Sequence, residues 1–345
     1  MPNRRTRAVR AILAASAVAL VASALGACSS GGGGDRLTIY SGRQEELIGP
    51  LLEDFSDETG IGVDVRYGDS ADLALLIDEE GDRSPADVFL SQSPGAVGFL
   101  DADDRLGELP ADLLDRVAPS FRAEDGHWVG ISGRVRVLVY NADLVSEADL
   151  PASVFDLTQD AYRGEVGIAP TNASFQDFVT AMRESIGDDR TLEWLEGMVA
   201  NDARTYANNI AIVEAVGRGE IRYGIVNHYY NEEVKAEDPG APSANHLFPN
   251  ADIGSIILVT AAGVLDTADD PSAASRFVEF LLSRPAQQFY AEETLEYPLA
   301  AGVEPVVADL PPLEEIESPP LELSSLGGEL TRTKELIEQS GLEQS

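Results

Sequence analysis

Two phenols stand side by side in the middle of this chain. The stretch "IRYGIVNHYYNEEVKAED", Ile221 to Asp238, is an apolar run that ends in His228, Tyr229 and Tyr230 before the charges begin. A phenol has a pKa of about 10 and is a poor ligand while protonated. A hard, highly charged cation can displace that proton, so binding releases protons and depends on pH. Hard anionic oxygen suits ferric iron better than zinc or copper, which favour nitrogen or sulfur. Successive side chains on a strand point to opposite faces. Both phenols reach one ion only if the backbone turns into a helix near residue 229, where adjacent side chains diverge by about 100°. The other reading places one ring in the core and one at the surface. Spacing alone leaves both open.

Other polar residues gather where predicted strands end. Ser41, Gly42, Arg43, Gln44 and Glu45 follow the first strand, and Ser91 and Gln92 follow "ADVFL". Arg134 and Arg136 lie in a long strand-rich run, "GHWVGISGRVRVLVYNADLV". Thr171, Asn172, Ala173 and Ser174 follow "EVGIAP" and precede the apolar helical stripe of Phe175, Phe178, Val179 and Met182. Thr, Asn and Ser there are capping types, and a helix start also offers N–H groups to an oxyanion. Asn208 and Asn209 precede another helix, and Asn227 closes the apolar run ahead of the tyrosines. A secreted hydrolase, with a carboxylate pair drawn from the many acids, is a distant alternative. His127, His228 and His246 lack a supporting motif, and neither GxSxG nor HExxH occurs. No enzyme activity is expected.

The elements that must position these groups read as two α/β series. Leu37 to Tyr40 is a strand, Glu45 to Glu58 a helix with Leu47, Leu51, Leu52 and Phe55 at helical spacing, and Val63 to Tyr67 a second strand. This βαβ unit implies a parallel sheet. The long run around Arg134 should bend at Gly130, Ser132 and Gly133. "RYGIVNHYY" reads as the last strand of the second series, and "GSIILVTAAGVLDT" returns to strand. "AASRFVEFLLSRPAQQFYAEE" reads as one periodic helix, and "LTRTKELIEQSGL" as the last helix. The expected architecture is two lobes joined by crossing strands, with a ligand cleft beyond the strand ends. One lobe would comprise 36–133 plus about 252–295, and the other 134–251 plus about 296–343.

The ordered strings "LTIYSGRQEEL", "SPADVFLSQ", "ISGRVRVLVYNADL", "NHYY", "AAGVL" and "EYPL" (Glu296–Leu299) resemble the ferric-iron-binding proteins of bacterial ABC-type importers over nearly the whole chain beyond its leader. The resemblance implies an α/β, two-lobed periplasmic-binding-protein fold that holds Fe(III) in its cleft with a synergistic anion, carbonate or phosphate. It places the paired phenolate ligands at Tyr229 and Tyr230. The anion pocket falls on Asn172, Ala173, Ser174, Asn209 and Asn227, with Arg134 as a further partner. The remaining ligands depart from the family pattern. A His found after the first strand in some members is Gln44 here, a neighbouring Tyr is Glu45, a Glu is Gln92, and a third Tyr is Asn172. Glu45 is the candidate third protein ligand, Gln44 and Gln92 are weaker oxygen donors, and an anion and water are the alternative. His228 is expected beside the ligands rather than among them. The implied partners are an ABC permease and its ATPase. The nearest rival function keeps the fold and binds an organic solute such as a phosphonate or polyamine.

The N-terminus frames where this would happen. Four arginines, an Ala-rich apolar run and the string Leu25-Gly26-Ala27-Cys28 read as a lipoprotein signal peptide over 1–27. Arg4-Arg5 also raises twin-arginine export, although a basic leader start accounts for the pair. Cys28, the only cysteine, is the expected lipidation site, and 28–35 a flexible tether. The lipid would anchor the protein to the outer face of the cytoplasmic membrane. The 345 residues are 44% hydrophobic and carry 24 basic and 60 acidic groups. With the leader's four arginines removed, 20 remain against 60, a net charge of −40. Such a surface disfavours nucleic acid and anionic lipid headgroups. A monomer is expected.

Overall fold

The computed structural model describes residues 36–300, 302–305, 310–326 and 330–342. The expected leader, Cys28 and the tether lie outside the described residues. Ten strands form one continuous sheet: β1 (Arg36–Ser41), β2 (Gly62–Tyr67), β3 (Val88–Ser91), β4 (Trp128–Asn141), β5 (Val166–Ile168), β6 (Arg204–Thr205), β7 (Tyr223–Asn227), β8 (Ser243–His246), β9 (Ile257–Val264) and β10 (Tyr297–Pro298). Their order is β2-β1-β3-β9-β4-β7-β5-β6, with β8 and β10 also paired to β4. The βαβ unit read from the sequence is present, because β1 lies parallel to both β2 and β3.

Strand β4 is shared by the two halves. Its first part, Trp128 to Val135, pairs antiparallel with β9, and its second part, Arg136 to Tyr140, with β7. The expected bend is a register shift between Gly130 and Ser132. All fourteen β4 residues are buried, so the strand runs through the molecule rather than along an edge.

Helices α1 (Glu45–Thr59), α2 (Ser70–Glu80), α3 (Pro94–Ala102) and α4 (Ala111–Leu114) accompany the first half of the sheet. In α1, Ile48, Leu51, Leu52 and Phe55 bury one face. Gly60 ends it in a left-handed conformation, with its N–H bonded to Ser56 O. The second half carries α5 (Ala173–Ile186), α6 (Asp188–Ala200), α7 (Asn209–Gly217) and α8 (Tyr229–Glu237). The periodic segment expected as one helix is two, α9 (Pro271–Leu281) and α10 (Arg284–Glu292). Pro285 cannot continue a helical ladder, and the Ser283 hydroxyl instead caps Ala286 N at 3.4 Å. Phe55 meets Phe277 and Phe280 edge-on at 5.1 and 5.5 Å, which fixes α1 against α9.

The end of the chain touches both halves. Helix α11 (Leu330–Ser340) packs on α5 and α6, with Thr333 Oγ1 2.7 Å from Thr180 Oγ1. Just before it, the turn Leu323–Leu326 packs on α3. Gly95 permits that approach: a Cβ there would stand 2.6 Å from Leu326 O. No helix among the described residues is long and apolar enough to cross a membrane.

Candidate functional site

Strand β7 stops at Asn227, and α8 begins at Tyr229. The backbone thus makes the strand-to-helix switch that a joint role for the two tyrosines requires. Their rings lie 4.3 Å apart, tilted by 41°. Both line a cavity of about 1050 Å³ between the ends of β1, β2 and β3 on one side and the start of α5 on the other. Tyr229 is 8% exposed and Tyr230 half-buried. Burial, and then the neighbouring Tyr230, push the Tyr229 phenol well above its ordinary value. With no cation present, Tyr229 is a protonated phenol.

The other expected residues divide into three groups. Gln44, Gln92, Arg134, Asn172, Ala173 and Ser174 line the cavity with the tyrosines. Asn209 and Asn227 are buried behind this wall. Glu45 is exposed and does not line the cavity. It is the first residue of α1, and after burial its charge helps raise the phenol of Tyr67, which does line the cavity.

The buried residues form one hydrogen-bond network. Asn172 caps α5, its Oδ1 accepting from Ser174 N at 3.0 Å and Ser174 Oγ at 2.7 Å. Asn209 Nδ2 donates to the same Asn172 oxygen at 3.1 Å and to Ser174 Oγ at 3.2 Å. Arg136 Nη1 donates to Ser174 Oγ at 3.2 Å and to Asn227 Oδ1 at 3.1 Å. Asn227 Nδ2 reaches the Tyr229 hydroxyl at 3.5 Å. The Ser174 N–H is therefore committed to the cap, and an oxyanion at this helix start has the neighbouring hydroxyl and amide groups to work with.

At the centre of the network is Arg136, which the sequence reading passed over for Arg134. It is 1% exposed, and its hydrogen-bond partners are Ser174, Asn227 and Ile225 O, none of them a carboxylate. Its Nε has no partner. Phe175 and Phe178 lie under the guanidinium at 5.8 and 5.4 Å. Burial lowers its pKa to about 10, while the phenols of Tyr230 and Tyr229 and the Asp177 carboxyl act in the opposite sense. A buried cation with no carboxylate in hydrogen-bond contact is costly. Negative charge arriving on the adjacent phenols or beside them would relieve that cost.

Arg134 serves a different end. Its guanidinium bonds Gln92 O and Val259 O, tying the loop after β3 to β9. In the orientation that satisfies both ends of the Gln92 amide, its nitrogen donates to Gly42 O at 3.1 Å and its oxygen accepts from Arg134 Nη1 at 3.3 Å. Next to this loop, Arg43 is fully buried and paired with Glu296 at 2.9 Å. Burial works to raise the Glu296 carboxyl, but Arg43 and Arg134 hold it below its ordinary value.

Several lining residues were not singled out from the sequence. Tyr67 ends β2 and Asp69 follows it, and both obey the same strand-end rule as those that were. Asp177 lies one turn along α5 from Ser174 and accepts from Ser93 Oγ at 3.0 Å across the cleft. Burial pushes its carboxyl up to about 6. Lys334 comes from α11 with Leu330 and Thr331, far along the chain from the tyrosines, and no local pattern announces it.

Comparisons with known proteins agree with this architecture. Residues 83–318 match the family model of bacterial extracellular solute-binding proteins. The chain is 30% identical to an Fe(3+)-binding periplasmic protein of Serratia marcescens, over 89% of this chain and 90% of that one. It is 32% identical to the major ferric iron-binding protein of Neisseria meningitidis, over 89% and 93%. Iron-bound HitA from Pseudomonas aeruginosa superposes with a TM-score of 0.80 at 34% identity, covering 89% of this chain and 99% of that structure. The α/β two-lobed periplasmic-binding-protein fold expected from the sequence is the fold found. The chain belongs to the bacterial extracellular solute-binding proteins, in the group of the ferric-iron-binding proteins.

Proposed function

We propose that this protein is a lipid-anchored, extracytoplasmic receptor that holds Fe(III) through the phenolates of Tyr229 and Tyr230, together with a synergistic anion, and delivers it to an ABC permease and its ATPase. The observation that carries the reading is the pair of adjacent, tilted phenols on the cavity wall near Arg136, a buried cation whose hydrogen bonds include no carboxylate. Ferric iron would displace both phenol protons, and the guanidinium would stabilise the anionic oxygens it leaves. Carbonate or phosphate would sit at the α5 start, against Ser174 and the Asn172–Asn209–Asn227 network. Gln44 remains available as a neutral oxygen donor, whereas the Gln92 amide is engaged by Gly42 and Arg134. Anion and water would complete the shell. The iron-binding names of the relatives support the same reading. The 36–133 and 252–295 segments would close as one lobe on the other by a hinge at β4. The receptor turns nothing over.

The size of the cavity favours a second reading. About 1050 Å³ is more than one ion and one small anion need, so an organic solute such as a phosphonate or polyamine is the rival. An absorption spectrum of the purified protein with ferric citrate, with and without carbonate or phosphate, separates them. Iron binding gives a visible phenolate-to-iron band that Tyr229→Phe weakens and the double variant Tyr229→Phe with Tyr230→Phe abolishes. A colourless iron-treated protein would overturn the iron reading, and an organic solute should survive Tyr229→Phe in part.

A further inference from the structure

His228, directly ahead of the tyrosine pair, is fully buried and gripped on every side. Its backbone N–H donates to Val135 O at 3.0 Å, and its Nδ1 accepts from Val135 N at 3.2 Å. A backbone N–H can only donate, so Nδ1 must be the bare nitrogen and Nε2 must carry the proton. Nε2 then donates to Leu295 O at 2.9 Å. The imidazole is neutral, and its tautomer is fixed by its two neighbours.

These neighbours stand beside two of the three places where the chain would pass between the expected lobes, 133/134 and 295/296. Val135 is the last β4 residue to pair with β9, and Arg136 the first to pair with β7. The imidazole takes the Val135 N–H at the place where β7 would have supplied a backbone acceptor had it not turned into α8. Leu295 leads directly into β10, which pairs back onto β4 at Gly133 and Ser132. Leu295 has φ 55°, a left-handed conformation that a leucine rarely adopts without being held. On its far side, Glu296 is locked to Arg43. On the near side, the His228 ring meets the Tyr229 ring edge-on at 5.6 Å.

We propose that His228 is a positioning residue that links the tyrosine pair to two of the crossing segments, so that seating iron on Tyr229 is passed through the Leu295 carbonyl to lobe closure. Its Val135 bonds finish the strand and aim the pair. Its Leu295 bond couples the pair to the hinge. The inference rests on the iron reading above.

Two conservative variants separate the two bonds. His228→Asn keeps an acceptor for Val135 N and removes the donor to Leu295 O. His228→Gln keeps an amide donor long enough for Leu295. Iron-induced compaction by small-angle scattering, the position of the phenolate-to-iron band, and the rate of iron loss to an excess chelator are measured for the full chain. His228→Asn should keep the wild-type band, lose the compaction, and release iron about tenfold faster, the scale of one buried hydrogen bond. His228→Gln should restore compaction and slow release. If both variants close and release iron like wild type, or like each other, the coupling role is wrong. A wild-type protein that gives no band refutes the iron reading instead.

Discussion

The proton count of iron binding is the most exacting test of the phenolate site. A phenol of ordinary pKa costs about 4 kcal/mol to deprotonate at neutral pH. Tyr229 costs more, because burial and Tyr230 raise its phenol further. Iron must supply this energy, and the bound state holds fewer protons than the free one. Binding should therefore strengthen as pH rises and weaken as it falls, throughout the range below the phenol pKa. Two displaced protons give a slope of about two, or roughly 100-fold in affinity per pH unit. Tyr230→Phe removes one of those protons, so its slope should fall to about one while its absolute affinity drops. The perturbation removes a half-buried hydroxyl and its side-chain hydrogen bond to Tyr229. The assay is equilibrium competition against a ferric chelator of known protonation constants, read at the phenolate-to-iron band from about pH 6 to 8. Equal slopes for wild type and Tyr230→Phe would show that Tyr230 does not ligate as a phenolate. A slope near zero for wild type would remove both phenolates from the site.

Three further outcomes follow from the geometry. Arg136→Met removes the buried cation facing the phenols, and should weaken iron binding about 10- to 100-fold in the same competition assay while circular dichroism stays unchanged. Asn172→Ala removes the α5 cap and should cost about 1 kcal/mol in urea denaturation, with a weaker response of iron affinity to added phosphate or carbonate. Glu45→Gln, by contrast, should leave iron affinity and band position unchanged, because Glu45 is exposed and stands outside the cavity lining.

What the sequence disclosed about this site follows a physical division. Features set by near neighbours were legible, such as the βα units and the Asn172 cap, but the reading of "RYGIVNHYY" as strand ran two residues into α8, which begins at Tyr229. The break between α9 and α10 was equally local, since Ser283 and Pro285 spell it, but the strong apolar period on either side outweighed them. Features set by register between distant segments were not legible. Arg134 and Arg136 lie two apart on one strand, and nothing local says that Arg134 lines the cavity while Arg136 is held by Asn227, ninety-one residues away.

The same division bears on the positions where this chain departs from the family pattern. A glutamine at residue 92 looks like a weakened ligand when judged only by its place after β3. In the fold its amide bridges Gly42 O and Arg134, and its backbone carbonyl accepts from Arg134 as well. It therefore fixes the loop after β1 to the loop after β3, and its oxygen is already occupied. Among the ligands expected in the first half, Gln44 and Gln92 line the cavity and Glu45 does not, while the Asp69 and Asp72 carboxylates also face it. On the proposed reading, most of the charge that neutralises Fe(III) would come from the second half, through Tyr229, Tyr230 and the bound anion. An ion held mostly by one half can load onto the open form first, and closure can follow. His228 stands where that order of events would need a connection, between the loaded tyrosines and the strand that both halves share.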